Sequence, residues 1–153
     1  MVKTLRNTKP ARMGLLPPRY SLVLNPHVRE RFTKCPTCEA PTKIRKLPLV
    51  IHLDHQDGAR LILLHKSCRL CLRCDTLIVH RDELHRVMTG AGLCVVEQPE
   101  YVVLGTIDRG TWRRGFIGDV QLTDIRASMA DFKKYLKVDV IPAHWAPRSQ
   151  NAG

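Results

Sequence analysis

The chain has 153 residues, 25 Lys+Arg against 14 Asp+Glu, a formal charge of +11 and 44% apolar residues. That length suits one compact domain and excludes a large multidomain enzyme, while the apolar share excludes wholesale disorder. No apolar run approaches the ~20 residues of a membrane-spanning helix, and the Pro-interrupted basic N-terminus does not read as a secretory signal, so a cytoplasmic protein is expected.

Residues 1–19 are basic, aperiodic and Pro-containing, and read as a flexible extension before a domain spanning 20–141. Tyr20–Leu24 suits a short strand ended by Asn25-Pro26, and Val28–Phe32 one helical turn. Cys35-Pro-Thr-Cys38 is a tight turn. Thr42–Leu53 has strand alternation, with Pro48 marking an edge or a bulge because it cannot donate to a ladder. His55-Gln-Asp-Gly58 signals a turn, and Arg60–His65 the returning strand.

Cys68-Arg-Leu-Cys71-Leu-Arg-Cys74 follows, then Asp75, which suits a helix N-cap. Leu77, Leu84 and Met88 mark one helical face, interrupted by Arg81, and the helix should end near Thr89-Gly90-Ala-Gly92. Leu93–Val96 and Tyr101–Ile107 read as strands, and Asp108–Phe116 as a short helix bearing Trp112. Leu122, Ile125, Met129, Phe132 and Leu136 recur at +3 and +4, which predicts an amphipathic helix over 122–136, started by Thr123 or Asp124. Residues 142–153 form a tail with His144 and Trp145.

The charge is uneven. Residues 1–34 hold eight Lys/Arg and one acid, a net of +7; residues 35–98 and 99–153 contribute +2 each. The excess therefore reads as a basic N-terminal arm, suited to phosphate backbones or anionic surfaces, or else as a solvated tail.

In a cytoplasmic protein, cysteines in C-x-x-C pairs indicate metal or redox chemistry more than structural disulfides. Cys35/Cys38 and Cys71/Cys74 flank a segment that reads as a β-hairpin. Such a hairpin brings two sulfur pairs to opposite sides of one ion, and tetrahedral Zn²⁺ with four thiolates closes the shell. Placed at the start of a helix, the second pair would also gain from the positive dipole end. Cys68 with Cys71 is an equally legal C-x-x-C, so Cys68 is the alternative ligand to Cys74. Otherwise Cys68, like Cys94, reads as a small buried hydrophobe. A closed four-thiolate shell lacks an open position, so zinc is expected to be structural and the protein non-catalytic. Thiol redox chemistry is the competing reading. Four thiolates on one zinc ion also lower the net charge by about two units.

The order C-P-x-C, hairpin, L-I-x-L strand, C-x-x-C and acidic helix resembles the YgiT-type zinc finger found at the N-terminus of some antitoxins, over about residues 35–88. The resemblance implies Cys35, Cys38, Cys71 and Cys74 as zinc ligands. It departs in the additional Cys68 and in a second half without a helix-turn-helix. The whole chain is similar to uncharacterised bacterial zinc-ribbon proteins at Tyr20–Pro26, Arg31–Pro36, Lys66–Cys71, Tyr101–Thr106 and Trp112–Gly115. The expected fold, which the resemblances support, is α+β: a zinc ribbon of hairpin, helix and four-cysteine site (35–88), extended by further strands and a C-terminal amphipathic helix (second half 93–137).

Other clusters have plainer readings. His52, Asp54 and His55 suit a solvated hairpin end; His80, Asp82, Glu83 and His85 suit a solvated helix face. No phosphate loop, zincin or nucleophile-elbow motif is present, and no small-molecule substrate is inferred. Arg69 and Arg73, beside the metal site, with Trp112, Arg113 and Arg114, are candidate binding residues for nucleic acid or a partner protein, with Trp112 capping the core as the plainer reading. The expected function is an adaptor that binds nucleic acid, or alternatively an antitoxin-like or assembly-subunit module. Loss of Cys35 or Cys74 is expected to unfold at least residues 35–88.

Overall fold

A seven-stranded mixed sheet organises the chain in a computed structural model that describes residues 12–54, 58, 60–92 and 100–138. The strands are β1 (Ser21–Asn25), β2 (Lys43–Asp54), β3 (Arg60–Cys71), β4 (Thr76–His80), β5 (Glu100–Thr106), β6 (Ala130–Asp131) and β7 (Tyr135–Leu136), in spatial order β6-β5-β2-β3-β4-β1-β7. The helices are α1 (Arg81–Gly90), α2 (Arg109–Phe116) and α3 (Leu122–Ser128). The fold is α+β and dominated by its sheet. None of these helices is long and apolar enough to cross a membrane.

Alternation along β2 and β3 explains the layers. Leu49, Ile51, Leu53, Ile62 and Leu70 face one side, where Leu84 and Met88 of α1 join the same buried cluster. Val50, Leu61 and Leu63 face the other, where Ile125 of α3 and Trp112 of α2 cover them. The β2–β3 hairpin is the long central element, paired from Lys43↔Leu70 to Leu53↔Arg60. Pro48 is buried inside it. Its carbonyl accepts from Ile107 N–H at 3.1 Å, just past the β5 ladder that begins at Leu49↔Thr106, so its missing donor falls where β5 has left. The β2–β5 register shifts between Val50 and Ile51.

Two expected helices are corrected. Thr76–His80 is not the first part of a helix but β4, parallel to β1 and antiparallel to β3, with every residue buried. Its run of Leu, Ile and Val suits a strand covered on both faces, and α1 begins only at Arg81. Asp75 is therefore no N-cap; it lies in the preceding turn at φ 55°. The 122–136 helix ends at Ser128. Met129 is extended (φ −101°, ψ 139°), Ala130–Asp131 pair with Gly105–Thr106, and Tyr135–Leu136 pair with β1. Lys133 and Lys134, within the expected span, consequently lie outside α3. The start of α3 is a capping box between Gln121 and Asp124. The expected helical turn at Val28–Phe32 is a turn closed by Glu30 N–H to His27 O at 3.2 Å, with Phe32 at φ 50°.

Arg12–Leu16, expected within a flexible extension, lies against the α3–β6 junction. Leu15 N–H donates to Arg126 O and Leu16 N–H to Met129 O, while the buried Asp131 carboxylate accepts from Met13 and Gly14 N–H. A Cβ on Gly14 would collide with the Met129 carbonyl, which is why the chain approaches so closely there. The expected Leu93–Val96 strand with Cys94, the His55–Asp57 part of the hairpin turn, residues 1–11 and the tail with His144 and Trp145 lie outside the described residues.

Candidate metal centre

Two loops of matching design meet at one end of the sheet. In the first, Cys35 N–H donates to Ala40 O and Glu39 N–H to Cys35 O, both at 2.8 Å, and the base is closed by Thr42 N–H to Thr33 O at 2.9 Å. The Thr42 hydroxyl adds a bond to Phe32 O at 2.8 Å. The second is the short turn Leu72–Asp75 between β3 and β4. In each loop the residue after the second cysteine has left-handed backbone: Glu39 at φ 65° and Asp75 at φ 55°. That twist turns the chain away and leaves both sulfurs of a pair on the inner side.

The sulfurs of Cys35, Cys38, Cys71 and Cys74 all lie within 4.8 Å of one another. Cys35 Sγ is 3.5 Å from Cys74 Sγ, and Cys38 Sγ is 3.5 Å from Cys71 Sγ. A disulfide requires about 2.05 Å. A tetrahedral thiolate shell with metal–sulfur bonds of ~2.3 Å has edges of ~3.8 Å. The four thiols therefore fit a single metal ion and do not fit two disulfides.

Further contacts hold the sulfurs in place. Thr37 N–H donates to Cys35 Sγ at 3.4 Å, and the Thr76 hydroxyl lies 3.1 Å from Cys74 Sγ. Burial pushes the Cys35 thiol up, but the Cys38 and Thr37 amides and the Cys74 and Cys71 thiols outweigh it and bring it down to about 7. Burial pushes Cys74 up to about 12, against the pull of the Thr76 hydroxyl. Without a cation the cluster thus favours one thiolate and resists the next, because like charges this close cannot accumulate. A divalent ion supplies the charge that lets all four ionise, with release of protons.

Cys68 is outside this group. Its buried thiol donates to Lys66 O at 3.3 Å, and burial among core residues pushes it up to about 12. The helix-dipole contribution expected at the second pair is absent, since β4 rather than a helix follows Cys74.

The other candidate residues separate. Arg69 is half-buried and bonds the Thr42 carbonyl and hydroxyl at 3.3 Å, tying β3 to the base of the first loop, whereas Arg73 is exposed. Trp112 packs on β3, its ring 4.5 Å from that of His65, six residues and about 20 Å of strand before Cys71. Arg113 is exposed, and Arg114 pairs with Asp124 at 3.2 Å. Trp112 is therefore a cap on the core and does not join the arginines of the metal end. His52 is half-buried and Asp54 exposed, 3.8 Å apart, which suits a solvated end. His80, expected on a solvated helix, is instead a buried end of β4.

Sequence reasoning missed Lys43, Arg45 and Lys46. All three are exposed on the half of β2 nearest the metal loops, and none has an ion pair among the described residues. The near-balance of residues 35–98 concealed them, because the matching acids Asp82 and Glu83 sit on α1 and are occupied by Arg31 and Lys66. No protein-family model, curated protein or solved structure matches the chain.

Proposed function

We propose that this is a non-catalytic zinc-binding protein that presents a basic strand edge, beside the metal loops, to nucleic acid. The observation that carries the metal reading is the clustering of four cysteine sulfurs within 4.8 Å on two matched loops. Four thiolates favour zinc among the common divalent ions and complete its shell, so the ion's part is structural. The site then resembles a zinc ribbon set at the end of a larger sheet. Supporting the second half of the reading, Lys43, Arg45 and Lys46 stand exposed beside the site, with Lys34 and Arg73 also exposed on the two loops. Several unpaired cations on one edge suit a phosphate backbone better than an apolar partner.

A protein-interaction module is the second reading, favoured by Ile117, just after α2, and Leu122, the first residue of α3, which are 74% and 53% exposed. Elemental analysis of reduced protein tests the metal: about one zinc per chain is expected, and iron or none would refute it. Mobility-shift assays with mixed DNA and RNA at low and moderate salt test the edge. Binding that weakens steeply with salt and is lost in the Lys43→Ala/Arg45→Ala/Lys46→Ala variant is expected. No shift at low salt would leave the protein-interaction reading in its place.

A further inference from the structure

The strands β3 and β4 are hydrogen-bonded over only three residue pairs, Arg69–Cys71 with Ile78–Thr76. Beyond them β4 stays with β1, to Asn25↔His80, while β3 continues with β2. The strands therefore part, and the gap is a cleft of about 250 Å³ lined by Arg31, Ile44, Cys68, Arg69, His80 and Glu83, with Ser67 at its wall.

His80 is 95% buried, being 5% exposed, and its protonation is fixed by its neighbours. The Asn25 side chain is oriented by His27 N–H, which donates to Oδ1 at 2.9 Å, and by its own Nδ2–H donating to Glu30 O at 2.7 Å. Its Nδ2 then faces His80 Nδ1 at 2.9 Å as a donor. Nδ1 must accept, so the ring proton sits on Nε2. That N–H has no partner among the described residues, and His80 lines the cleft. On a side chain otherwise buried, this oriented donor is open to an acceptor that enters the cleft.

The charges in and around the cleft favour an anion. Glu83 is neutralised by Lys66 at 2.7 Å, and Arg31 grips Asp82 at 2.9 Å and lies 3.8 Å from Glu83. Among the described residues Arg69 has no carboxylate partner; its Nη1 bonds Thr42, and its side chain lines the cleft. Three cations against two acids leave one positive charge, at Arg69, beside the His80 N–H. We propose that this cleft binds a phosphate group, with His80 Nε2–H donating to one oxygen and the Arg69 guanidinium pairing with the others. A free phosphate and the terminal phosphate of an oligonucleotide share this chemistry. The inference does not rest on the exposed Lys43, Arg45 and Lys46.

The test is titration of the zinc-loaded full chain with inorganic phosphate, followed by the histidine side-chain ¹⁵N resonances. A saturable shift at His80 Nε2 is expected, weakened at least about tenfold in Arg69→Gln, with zinc content measured alongside because Arg69 also ties β3 to the base of the first metal loop. His80→Leu should abolish binding; should it not fold, Arg69→Gln decides. Lys43→Ala/Arg45→Ala/Lys46→Ala should leave phosphate binding intact, which separates this site from the proposed nucleic-acid edge. Tighter binding of a 5′-phosphorylated than of a hydroxyl-ended dinucleotide assigns the anion to a nucleic-acid terminus, and phosphate binding without that preference assigns it to the free anion. No saturable shift at His80, or wild-type affinity in Arg69→Gln, overturns the proposal.

Discussion

Cys68 and Cys71 stand three positions apart on one strand, and an odd spacing on a strand sends side chains to opposite faces. Cys71 joins the three other thiols, while Cys68 joins Leu70's neighbours in the core. Spacing in the sequence made the two C-x-x-C choices equivalent, and only the pleat separates them. Two variants should therefore behave differently. Cys74→Ser removes one of four ligands and leaves three thiols that cannot close a tetrahedral shell, so metal content should fall well below one per chain. Cys68→Ser keeps a donor that reaches Lys66 O, so it should retain full zinc and cost about 1 kcal/mol. Metal content measured beside urea denaturation checks both; loss of zinc in Cys68→Ser would overturn the geometric argument. The same residue scale explains why the metal loops were readable at all. Cysteine pairs need few surroundings to be recognised, whereas the His80 tautomer depends on Asn25, 55 positions earlier.

Elements were legible where one period held to the end of a segment. The β2–β3 hairpin, β1, β5 and α2 follow local alternation, turn residues and an Asp108 cap that accepts from Thr111 N–H at 2.6 Å. The failures share a cause. Leu77 falls in register with a helical stripe, yet all five residues of β4 are buried, and a strand covered on both faces has no alternation to reveal it. The +3/+4 recurrence from Leu122 to Leu136 is a real pattern of core residues, but Ile125 and Met129 enter one cluster and Phe132 another. A helix followed by an extended segment meets the same spacing. What ends α3 is tertiary: Ala130–Asp131 pair with β5, and Arg12–Leu16 lies alongside. Asp131 is the pin of that junction, 2% exposed and accepting from two N-terminal amides. Asp131→Ala should leave both N–H groups without their acceptor, destabilising the protein by about 1–3 kcal/mol. It should also speed proteolysis near Leu15-Leu16 while metal content stays unchanged. Denaturant midpoints and mapped cleavage sites check this; wild-type cleavage kinetics would show that Asp131 does not hold the segment.

For the molecule as a whole, the sheet changes what metal loss should do. Residues 35–88 were expected to unfold together as a zinc-dependent module, on the premise that a hairpin and one helix bury little. In the structure β2, β3 and β4 are the three middle strands of seven, and they carry both faces of the core. The metal loops hang at one end of them. Fully buried Leu49, Ile51 and Leu53 lie in the distal half of β2, while Lys43–Lys46 in the half nearest the metal are exposed. Stability is thus distributed unevenly, with the apolar contacts concentrated away from the thiols. Chelation should lower the melting temperature, because an ion that binds only the native state stabilises it by mass action. It should not unfold the centre of the sheet. Hydrogen exchange resolves the difference: on adding chelator under reducing conditions, the amides of Cys35, Glu39 and Thr42, bonded within the first loop, should exchange faster. Those of Ile51, Leu53 and Val103, in the β2–β5 ladder, should keep their protection. Loss of protection at both ends together would mean that the ion holds the whole sheet, as in small zinc domains with no core of their own. Protection unchanged at the loop would mean that the four thiols do not hold a metal in solution.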